Sequence, residues 1–504
     1  MNQHRPPHPP HLGGGSRTDS SSSGGVIETR SIDYVPGRER HGKVWHQGPF
    51  WFTGNFVLTT MVTGFIGPSL GLSLRWSVLA VVLGACFGTF FMAFHANQGP
   101  RMGLPQMIQS RAQFGIRGAI VPFAAVVFVY IGFNVFNVVL ATQGLQTILP
   151  GGTTLWYALL IGLAIVLAVV GHDLLHAVQR WLTYVLIAVF GVLTVGAMVQ
   201  LHPHAPAAGS GGGGFTAFLV VFSAAAGYQI SYAVYVSDYS RYLPKDVPAK
   251  KVIWWTYLGA AGSAVWLMSL GALLASALPN PDAISGLRQV GNDILPGFGT
   301  FAVVVSSLAL ISIMAVNAYG AMLTSTSAVD AFRKVRPTVK SRIAGIVVIE
   351  LIVFVVALVL PADYLANFNN FVLLMLYFLI PWTAVNLVDF YFVRRGHYAI
   401  TAIFDPRGIY GRWSWQGLTA YTVGFAAMIP FFATSFWTGP AAEALGGADI
   451  SFAVGLVVAG VLYYVLTRGL DLSAEAEAIA ASDRELEGED ADGPDTHNGS
   501  PLTV

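Results

Sequence analysis

The stretch Trp51-Phe52-Thr53-Gly54-Asn55-Phe56 places a glycine and two polar residues inside a long apolar run. A second stretch of this kind, Ala226-Gly227-Tyr228-Gln229-Ile230-Ser231-Tyr232, interrupts another apolar run further along the chain. Paired glycine-interrupted segments at corresponding positions of two halves are typical of transporters made of inverted repeats. The alternative is that these glycines only permit close helix packing, as small residues often do in membranes.

The composition of the chain places most of it in lipid. Of its 504 residues, 54% are hydrophobic and only 11% are charged, whereas soluble proteins carry about 25% charged residues. The mean hydropathy is +0.60. Since 27 basic residues balance 26 acidic ones, the net charge indicates no nucleic-acid partner. We therefore expect an all-α integral membrane protein whose surroundings are the lipid bilayer.

Apolar runs long enough to cross the bilayer recur along the chain. Crossing roughly 30 Å of hydrocarbon takes about 20 apolar residues in a helix, and we predict about twelve such helices. These runs, named spans 1 to 12, cover approximately residues 49–70, 76–94, 119–149, 155–170, 182–201, 215–236, 252–278, 298–324, 343–360, 368–393, 415–437 and 450–466. The two interrupted stretches fall in spans 1 and 6, which are five apart, as a five-plus-five repeat requires.

The basic residues of the loops orient the predicted spans. With a cytoplasmic N-terminus, the outside loops hold only Arg75 and Arg288, and the other basic residues near the spans fall inside. This asymmetry satisfies the positive-inside rule and favours an even number of spans with both termini in the cytoplasm.

Both ends of the chain are predicted to lie outside the transmembrane domain at 45–470. The segment 1–44 begins with Gly, Ser, Pro and His residues and is expected to be a disordered tail. The segment 471–504 is strongly acidic and is expected to be a second disordered tail, with only a short amphipathic helix near 474–481.

Polar residues inside spans 3 and 8 are candidate substrate contacts. Span 3 carries Tyr130, Phe133, Asn134 and Asn137, and span 8 carries several serines and Asn317. An amide offers both a donor and an acceptor, which suits the edge of a heterocyclic base, and aromatic rings can stack on its face. The alternative for each such residue is an interhelical hydrogen bond that only holds helices together.

Two further features bear on coupling and on catalysis. Glu350 is the one acid well inside a span, which favours a proton relay. A structural ion pair, or a hydrogen bond to a buried hydroxyl near the cytoplasmic end of span 9, is an alternative of at least equal weight. His172 and His176 have the i, i+4 spacing of a zinc helix, but no third ligand stands out, so we predict a solvated interfacial loop and no metal site. Phosphate-loop and nucleophile-elbow motifs are absent from the sequence. We therefore expect that the protein is not an enzyme and binds no cofactor.

Four stretches between residues 27 and 466 carry a family resemblance. They are the loop at 99–115 that begins Gly-Pro-Arg-Met-Gly-Leu-Pro-Gln, the motif Ser-Asp-Tyr-Ser-Arg-Tyr-Leu-Pro at 237–244, the exit from span 10 at 386–396, and the entry into span 11 at 410–425. As an ordered set they resemble the purine-cytosine permease branch of the nucleobase-cation symporter family.

The resemblance implies a leucine-transporter-type fold with broken spans 1 and 6. Two inverted repeats would cover about 45–201 and 214–393, and two extra helices would lie at about 415–466. Substrate would bind midway between the broken spans and spans 3 and 8. The positions that match the family's binding residues are Thr53, Asn55, Asn137 and Asn317, with Phe133 and Tyr232 where relatives often have a stacking Trp. Gln229, beside the span 6 interruption, joins them as an expected partner for the substrate's edge.

Departures from the family pattern bear on substrate and coupling. Phe133 and Tyr232 stand where relatives often have Trp, so we expect them to sandwich a planar ring more weakly, or to select a ring of different outline. Sodium-coupled relatives use paired hydroxyls of span 8, but here Ser312 is preceded by Ile311, which cannot be a ligand. We predict a plasma-membrane symporter that imports a cytosine- or purine-type nucleobase, with H⁺ favoured over Na⁺ and with Thr53, Ser312 and Glu350 as coupling candidates. The alternative substrates are allantoin, hydantoin, uracil or a vitamin-like heterocycle.

Overall fold

The computed structural model describes residues 33–170, 172–202, 214–278, 282–333, 338–361 and 363–491, without the side chains of 170, 172–180 and 488–491. Within these ranges the regular structure is helical, apart from one isolated β-bridge between Ala433 and Thr438. Helices satisfy their own backbone hydrogen bonds, which the bilayer core requires of any chain that crosses it. The expected all-α membrane architecture is confirmed.

Eight helices of the described part are long and apolar enough to cross a membrane. They correspond to spans 2, 3, 5, 6, 7, 8, 9 and 10, and they are Leu74–Met102, Ile120–Gln146, Trp181–Gln200, Phe215–Val234, Ala249–Ala277, Phe298–Asp330, Val339–Val359 and Tyr364–Val393. Side-chain caps start two of them, since Thr338 forms a capping box with Ser341 and Asp363 accepts a hydrogen bond from the backbone of Ala366.

The four other predicted spans are shorter helices or pieces. Span 4 is Thr153–Val170, span 11 is Trp415–Met428, and span 12 is Ser451–Thr467. Span 12 joins the next helix at a bend of 90°. Span 1 consists of Gln47–Gly54, Leu58–Thr63 and Ile66–Ser69. The count of twelve crossings stays a prediction.

Span 1 is interrupted directly after its glycine. The helix Gln47–Gly54 ends at Gly54, and Val57 is extended, with φ −136° and ψ 160°, before the next helix begins at Leu58. Thr60 Oγ1 donates to the Asn55 carbonyl oxygen at 2.7 Å, which satisfies one backbone acceptor that the interruption frees.

Span 6 changes its geometry later than its glycine suggests. The α-helix Phe215–Ile230 runs through Gly227, continues as a 3₁₀-helix at Ser231–Val234, and ends at Tyr235, where φ is −139°. A Cβ at Gly227 would lie 2.5 Å from the Val372 carbonyl oxygen of span 10. Gly227 therefore permits close packing, which was the alternative, and the irregular backbone lies four to eight residues further on.

The helices pack so that a central space remains between five of them. Span 8 packs along span 3, while span 2 packs against spans 6 and 7. Spans 1 and 7 cross at glycines, since a Cβ at Gly64 would meet the Met268 carbonyl oxygen at 1.9 Å and one at Gly271 would meet that of Met61 at 1.9 Å. The buried apolar side chains form two large clusters around this arrangement.

Both predicted tails contain more order than expected. Residues 33–44 are part of the fold, with Val35 fully buried and Arg40 Nη1 donating to the Pro100 carbonyl oxygen at 2.9 Å. At the other end, the C-terminal helix covers Leu472–Ala491. Hydrogen bonds and a buried ion pair hold these two segments although their composition is polar, and the C-terminal helix extends beyond the short helix expected near 474–481. Residues 1–32 and 492–504 lie outside the described residues.

Candidate functional site

A cavity of about 510 Å³ lies between spans 1, 3, 5, 6 and 8. Its walls include most of the predicted site residues, namely Thr53, Phe133, Asn137, Tyr232, Ser312 and Asn317. The predicted residues Asn55, Gln229 and Glu350 are not among the lining residues. The structure thus brings together side chains from both expected repeats around one space of the size of a small-molecule site.

Asn137 turns a hydrogen-bond donor toward this cavity. Its Oδ1 accepts from Thr59 Oγ1 at 2.6 Å, and the residue is only 2% exposed. Because the carbonyl side of the amide is held by Thr59, the Nδ2 group is the side that remains for a ligand. Among the described residues, that nitrogen has no protein acceptor.

Asn317 offers the complementary acceptor. Asn134 Nδ2 donates to the Met314 carbonyl oxygen at 2.9 Å, which leaves Asn134 Oδ1 to accept from Asn317 Nδ2 at 3.0 Å. Asn317 Oδ1 is therefore the side of this amide that remains for a ligand. We name Asn137 and Asn317 the open amide pair, since each has one polar group held by the protein and one available in the cavity.

Asn55 and Gln229 bind each other instead of facing the cavity. Asn55 Nδ2 donates to Gln229 Oε1 at 3.0 Å and to the Ala260 carbonyl oxygen at 2.9 Å. Gln229 Nε2 donates to Thr89 Oγ1 at 2.8 Å. We name these two the closed amide pair. They join spans 1, 2, 6 and 7, so the interhelical role, an alternative for such polar residues, describes their geometry.

Aromatic rings form much of the remaining wall. Tyr228, Tyr232, Tyr235 and Tyr239 all line the cavity, and Trp51 contacts three of these rings at centroid distances of 5.6–6.1 Å. Sequence reasoning selected only Tyr232 from this set. Their spacing of four, three and four residues is that of one helix face, so the signal was present in the sequence.

The three coupling candidates have different surroundings. Thr53 lines the cavity, and its Oγ1 donates to the Pro49 and Phe50 carbonyl oxygens at 2.7 and 2.9 Å. Ser312 also lines the cavity, and its buried Oγ has no hydrogen-bond partner among the described residues. Glu350 is completely buried behind the cavity, where its Oε1 accepts from Asn134 Nδ2 at 2.7 Å. Within the described chain its Oε2 has no partner.

A metal centre finds no support in the described residues, where His, Cys, Asp and Glu side chains form no group of three or more that could hold a metal ion. The side chains of His172 and His176 lie outside the described residues.

Comparison with solved structures identifies the fold. The structure is similar to that of the transporter Mhp1 in its inward-facing conformation, with a TM-score of 0.70 and 18% identity over 90% of this chain and 97% of Mhp1. It is similarly close to Mhp1 closed around bromovinylhydantoin, with a TM-score of 0.70 and 16% identity over 91% of this chain and all of that one. The fold is therefore the leucine-transporter-type fold, as predicted.

Residues 34–455 match the family described as permeases for cytosine/purines, uracil, thiamine and allantoin, and the chain belongs to this family. It is 42% identical, over 88% of its length and 96% of the relative, to the putative purine-cytosine permease YxlA of Bacillus subtilis. It is 26% identical, over 88% of its length and 86% of the relative, to the purine-cytosine permease FCY2 of Saccharomyces cerevisiae. The chain is thus a multi-pass membrane permease and not an enzyme, and the predicted family is confirmed.

Proposed function

We propose that this permease imports a cytosine- or purine-type nucleobase across the plasma membrane together with a cation. The observation that carries the proposal is the open amide pair, which presents one donor and one acceptor in a cavity walled by aromatic rings. Nucleobases combine ring acceptors and N–H donors on one edge with a flat π-face, so they match both features.

In this proposal Asn137 Nδ2 donates to a ring nitrogen or carbonyl of the base, and Asn317 Oδ1 accepts from one of its N–H groups. Phe133 and Tyr232 contact the ring faces, and Thr53 lies at the end of the helix piece that precedes the span 1 interruption. The names of YxlA and FCY2 favour purines and cytosine over the other substrates in the family description.

A proton is the coupling ion that the surroundings of Glu350 favour. Glu350 is linked to the cavity through two hydrogen bonds, from Asn134 to Glu350 and from Asn317 to Asn134. Acids within membrane helices are costly and typically mark proton relays or ion pathways. Binding of substrate to Asn317 can therefore change the hydrogen bond that Asn134 donates to the Glu350 carboxyl group.

Sodium coupling is the rival proposal, and one observation favours it. The Ser312 hydroxyl is buried at the cavity wall without a partner among the described residues, and a hydroxyl can join backbone carbonyls in holding a hard cation. A sodium site would draw its other ligands from the interrupted backbone of span 1.

Both termini are proposed to lie in the cytoplasm, in agreement with the basic residues concentrated on that side of the predicted spans.

The test is uptake of radiolabelled cytosine into cells that lack their own nucleobase carriers. Purines, pyrimidines, allantoin and hydantoins serve as competitors, and uptake is repeated without sodium and with a protonophore. The proposal requires saturable uptake that nucleobases compete. If the protein reaches the membrane and only allantoin, hydantoins or another heterocycle is taken up, the nucleobase assignment is wrong.

The coupling ion is tested with Glu350→Gln and Ser312→Ala in the same cells. Proton coupling predicts that Glu350→Gln loses the response to the protonophore while Ser312→Ala retains it. Sodium coupling predicts uptake that requires sodium, with Ser312→Ala raising the sodium concentration needed for half-maximal transport and Glu350→Gln leaving it unchanged.

A further inference from the structure

A second cavity, of about 710 Å³, lies apart from the transport cavity at the end of span 12. Three segments enclose it: the exit from span 10 around Arg394 and Arg395, the end of span 12 around Tyr464 and Arg468, and the C-terminal helix. Span 12 and the C-terminal helix meet at 90°, so if span 12 crosses the bilayer this helix runs along the membrane surface, where interfacial helices lie.

One wall of this cavity is fixed by a buried ion pair. Arg394 Nε and Nη2 donate to the two carboxylate oxygens of Glu475 at 2.9 and 2.8 Å, and Arg394 Nη1 donates to Asp389 Oδ1 at 2.6 Å. Burial alone lowers the pKa of Arg394, but pairing with Asp389 and Glu475 raises it well above its ordinary value. The charges of Arg394 and Glu475 therefore neutralise each other, and this ion pair holds the C-terminal helix in place.

The two other arginines of the cavity are not used in this way. Within the described chain, neither Arg395 nor Arg468 forms an ion pair, and the Arg468 guanidinium lies over the face of the Tyr464 ring, 5.1 Å from its centroid. The remaining acid on the wall, Asp483, lies 3.8 Å from Lys245. The cavity thus retains two guanidinium groups available for an anion.

The backbone at Arg395 is strained in a way that favours a functional role. Arg395 has φ +52°, and it is the one residue other than glycine with a positive φ in the described part of the chain. A side chain other than glycine, Asn or Asp in this region costs free energy, and such outliers cluster at binding and switch sites. Gly396, which follows, also has a positive φ, of +78°.

Two large apolar side chains on the wall of this cavity are exposed. Phe392 is 65% exposed and Leu472 is 44% exposed, and both line the cavity. A soluble phosphate would gain nothing from these side chains, whereas the acyl chains of a lipid would cover them. Basic pockets between membrane helices at the cytoplasmic side are a recurring form of site for anionic headgroups.

We propose that this cavity binds the phosphate headgroup of an anionic phospholipid, with Arg395 and Arg468 on the phosphate and Phe392 and Leu472 against the upper acyl chains. The lipid would brace the C-terminal helix against spans 10 and 12. This site does not depend on the identity of the transported substrate, so its failure and the failure of the proposed transport function are distinguishable.

The test is native mass spectrometry of the full-length purified permease titrated with phosphatidylglycerol. The double variant Arg395→Gln/Arg468→Gln should bind this lipid roughly 30-fold more weakly, since each arginine near an anionic headgroup contributes about fivefold. The matched control Arg407→Gln/Arg412→Gln removes two exposed arginines from the span 10–11 loop and should bind as the unmodified protein does. Equal binding by the two double variants would overturn the proposal.

Two further arms distinguish the source of the phosphate and the cause of a loss. Phosphatidylcholine should bind weakly and with no response to the arginine variants, and sn-glycerol 3-phosphate should not displace phosphatidylglycerol. Displacement by glycerol phosphate would overturn the lipid assignment in favour of a soluble phosphoester. Ala480→Trp keeps both arginines and fills the cavity, so it should also lose phosphatidylglycerol; full retention by this variant would contradict the location.

Discussion

The open amide pair and the closed amide pair differ in their partners and not in residue type or burial. Asn137 and Asn317 are 2% and 8% exposed, and Asn55 and Gln229 are 1% and 0% exposed. The closed pair satisfies itself across spans 1 and 6, whereas each member of the open pair is oriented by a neighbour, Thr59 or Asn134. A buried amide becomes a binding group when the protein fixes one end of it and leaves the other end in a cavity.

The largest effect is expected from Asn137→Ala, which removes the only donor of the open amide pair. An unpaired acceptor on a bound ligand costs about 1–3 kcal/mol, so the dissociation constant for the nucleobase should rise roughly 10- to 100-fold. Equilibrium binding of radiolabelled base to purified protein measures this change.

Asn137→Asp sharpens the same test when binding is measured at a pH at which the new carboxyl group is ionised, because the carboxylate keeps an acceptor for Thr59 and has no donor. An Asn137→Asp variant that binds normally would show that the donor side of this amide does not contact the substrate.

A smaller effect is expected from Phe133→Leu, which keeps apolar bulk at the cavity wall and removes the ring. Aromatic contacts are worth about 0.5–1.5 kcal/mol beyond area burial, so binding should weaken about fivefold. Phe371→Leu is the matched control. The Phe371 and Phe133 ring centroids are 5.3 Å apart, but Phe371 does not line the cavity. Equal weakening by both variants would indicate altered packing instead of lost stacking.

Thr59→Val should weaken binding about threefold to tenfold, because it removes a hydrogen bond worth about 0.5–1.5 kcal/mol that orients Asn137 without itself being a substrate contact in this account. A double-mutant cycle with Asn137→Ala checks that Thr59 acts only by orienting Asn137. Thr59→Val should have no further effect on binding once Asn137 is replaced by alanine. Additive losses would mean that Thr59 contacts the substrate directly.

The smallest effect on binding is expected from the closed amide pair. Asn55→Ala should change the dissociation constant by less than about threefold, yet it should lower the free energy of unfolding by about 1–3 kcal/mol, since it leaves the buried Gln229 Oε1 without its donor. Thermal unfolding and binding are measured on the same preparation. Weaker binding with unchanged stability would place Asn55 among the substrate contacts and remove the distinction between the pairs.

The sequence was informative where a signal is local. Glycines and polar residues in apolar runs predicted the membrane fold, the interruption at Gly54 and the cavity positions of Asn137 and Asn317. The predictions from sequence failed where the role of a side chain depends on a distant partner. Asn55 and Gln229 are 174 positions apart, and no local pattern shows that their amides form a hydrogen bond. The extent of the C-terminal helix, which was expected only near 474–481, was underestimated for the same reason, since Glu475 pairs with Arg394, 81 positions away.

We propose that substrate occupies the space between Asn137 and Asn317, and single-cysteine protection is a direct test of this placement. The chain contains one cysteine, Cys86, so Cys86→Ser provides a clean background. Val316→Cys lines the cavity, and Arg407→Cys is an exposed loop control. A transported nucleobase should slow alkylation at position 316 in a saturable way and leave alkylation at position 407 unchanged. Unchanged labelling at position 316 under a saturating, transported nucleobase would contradict it.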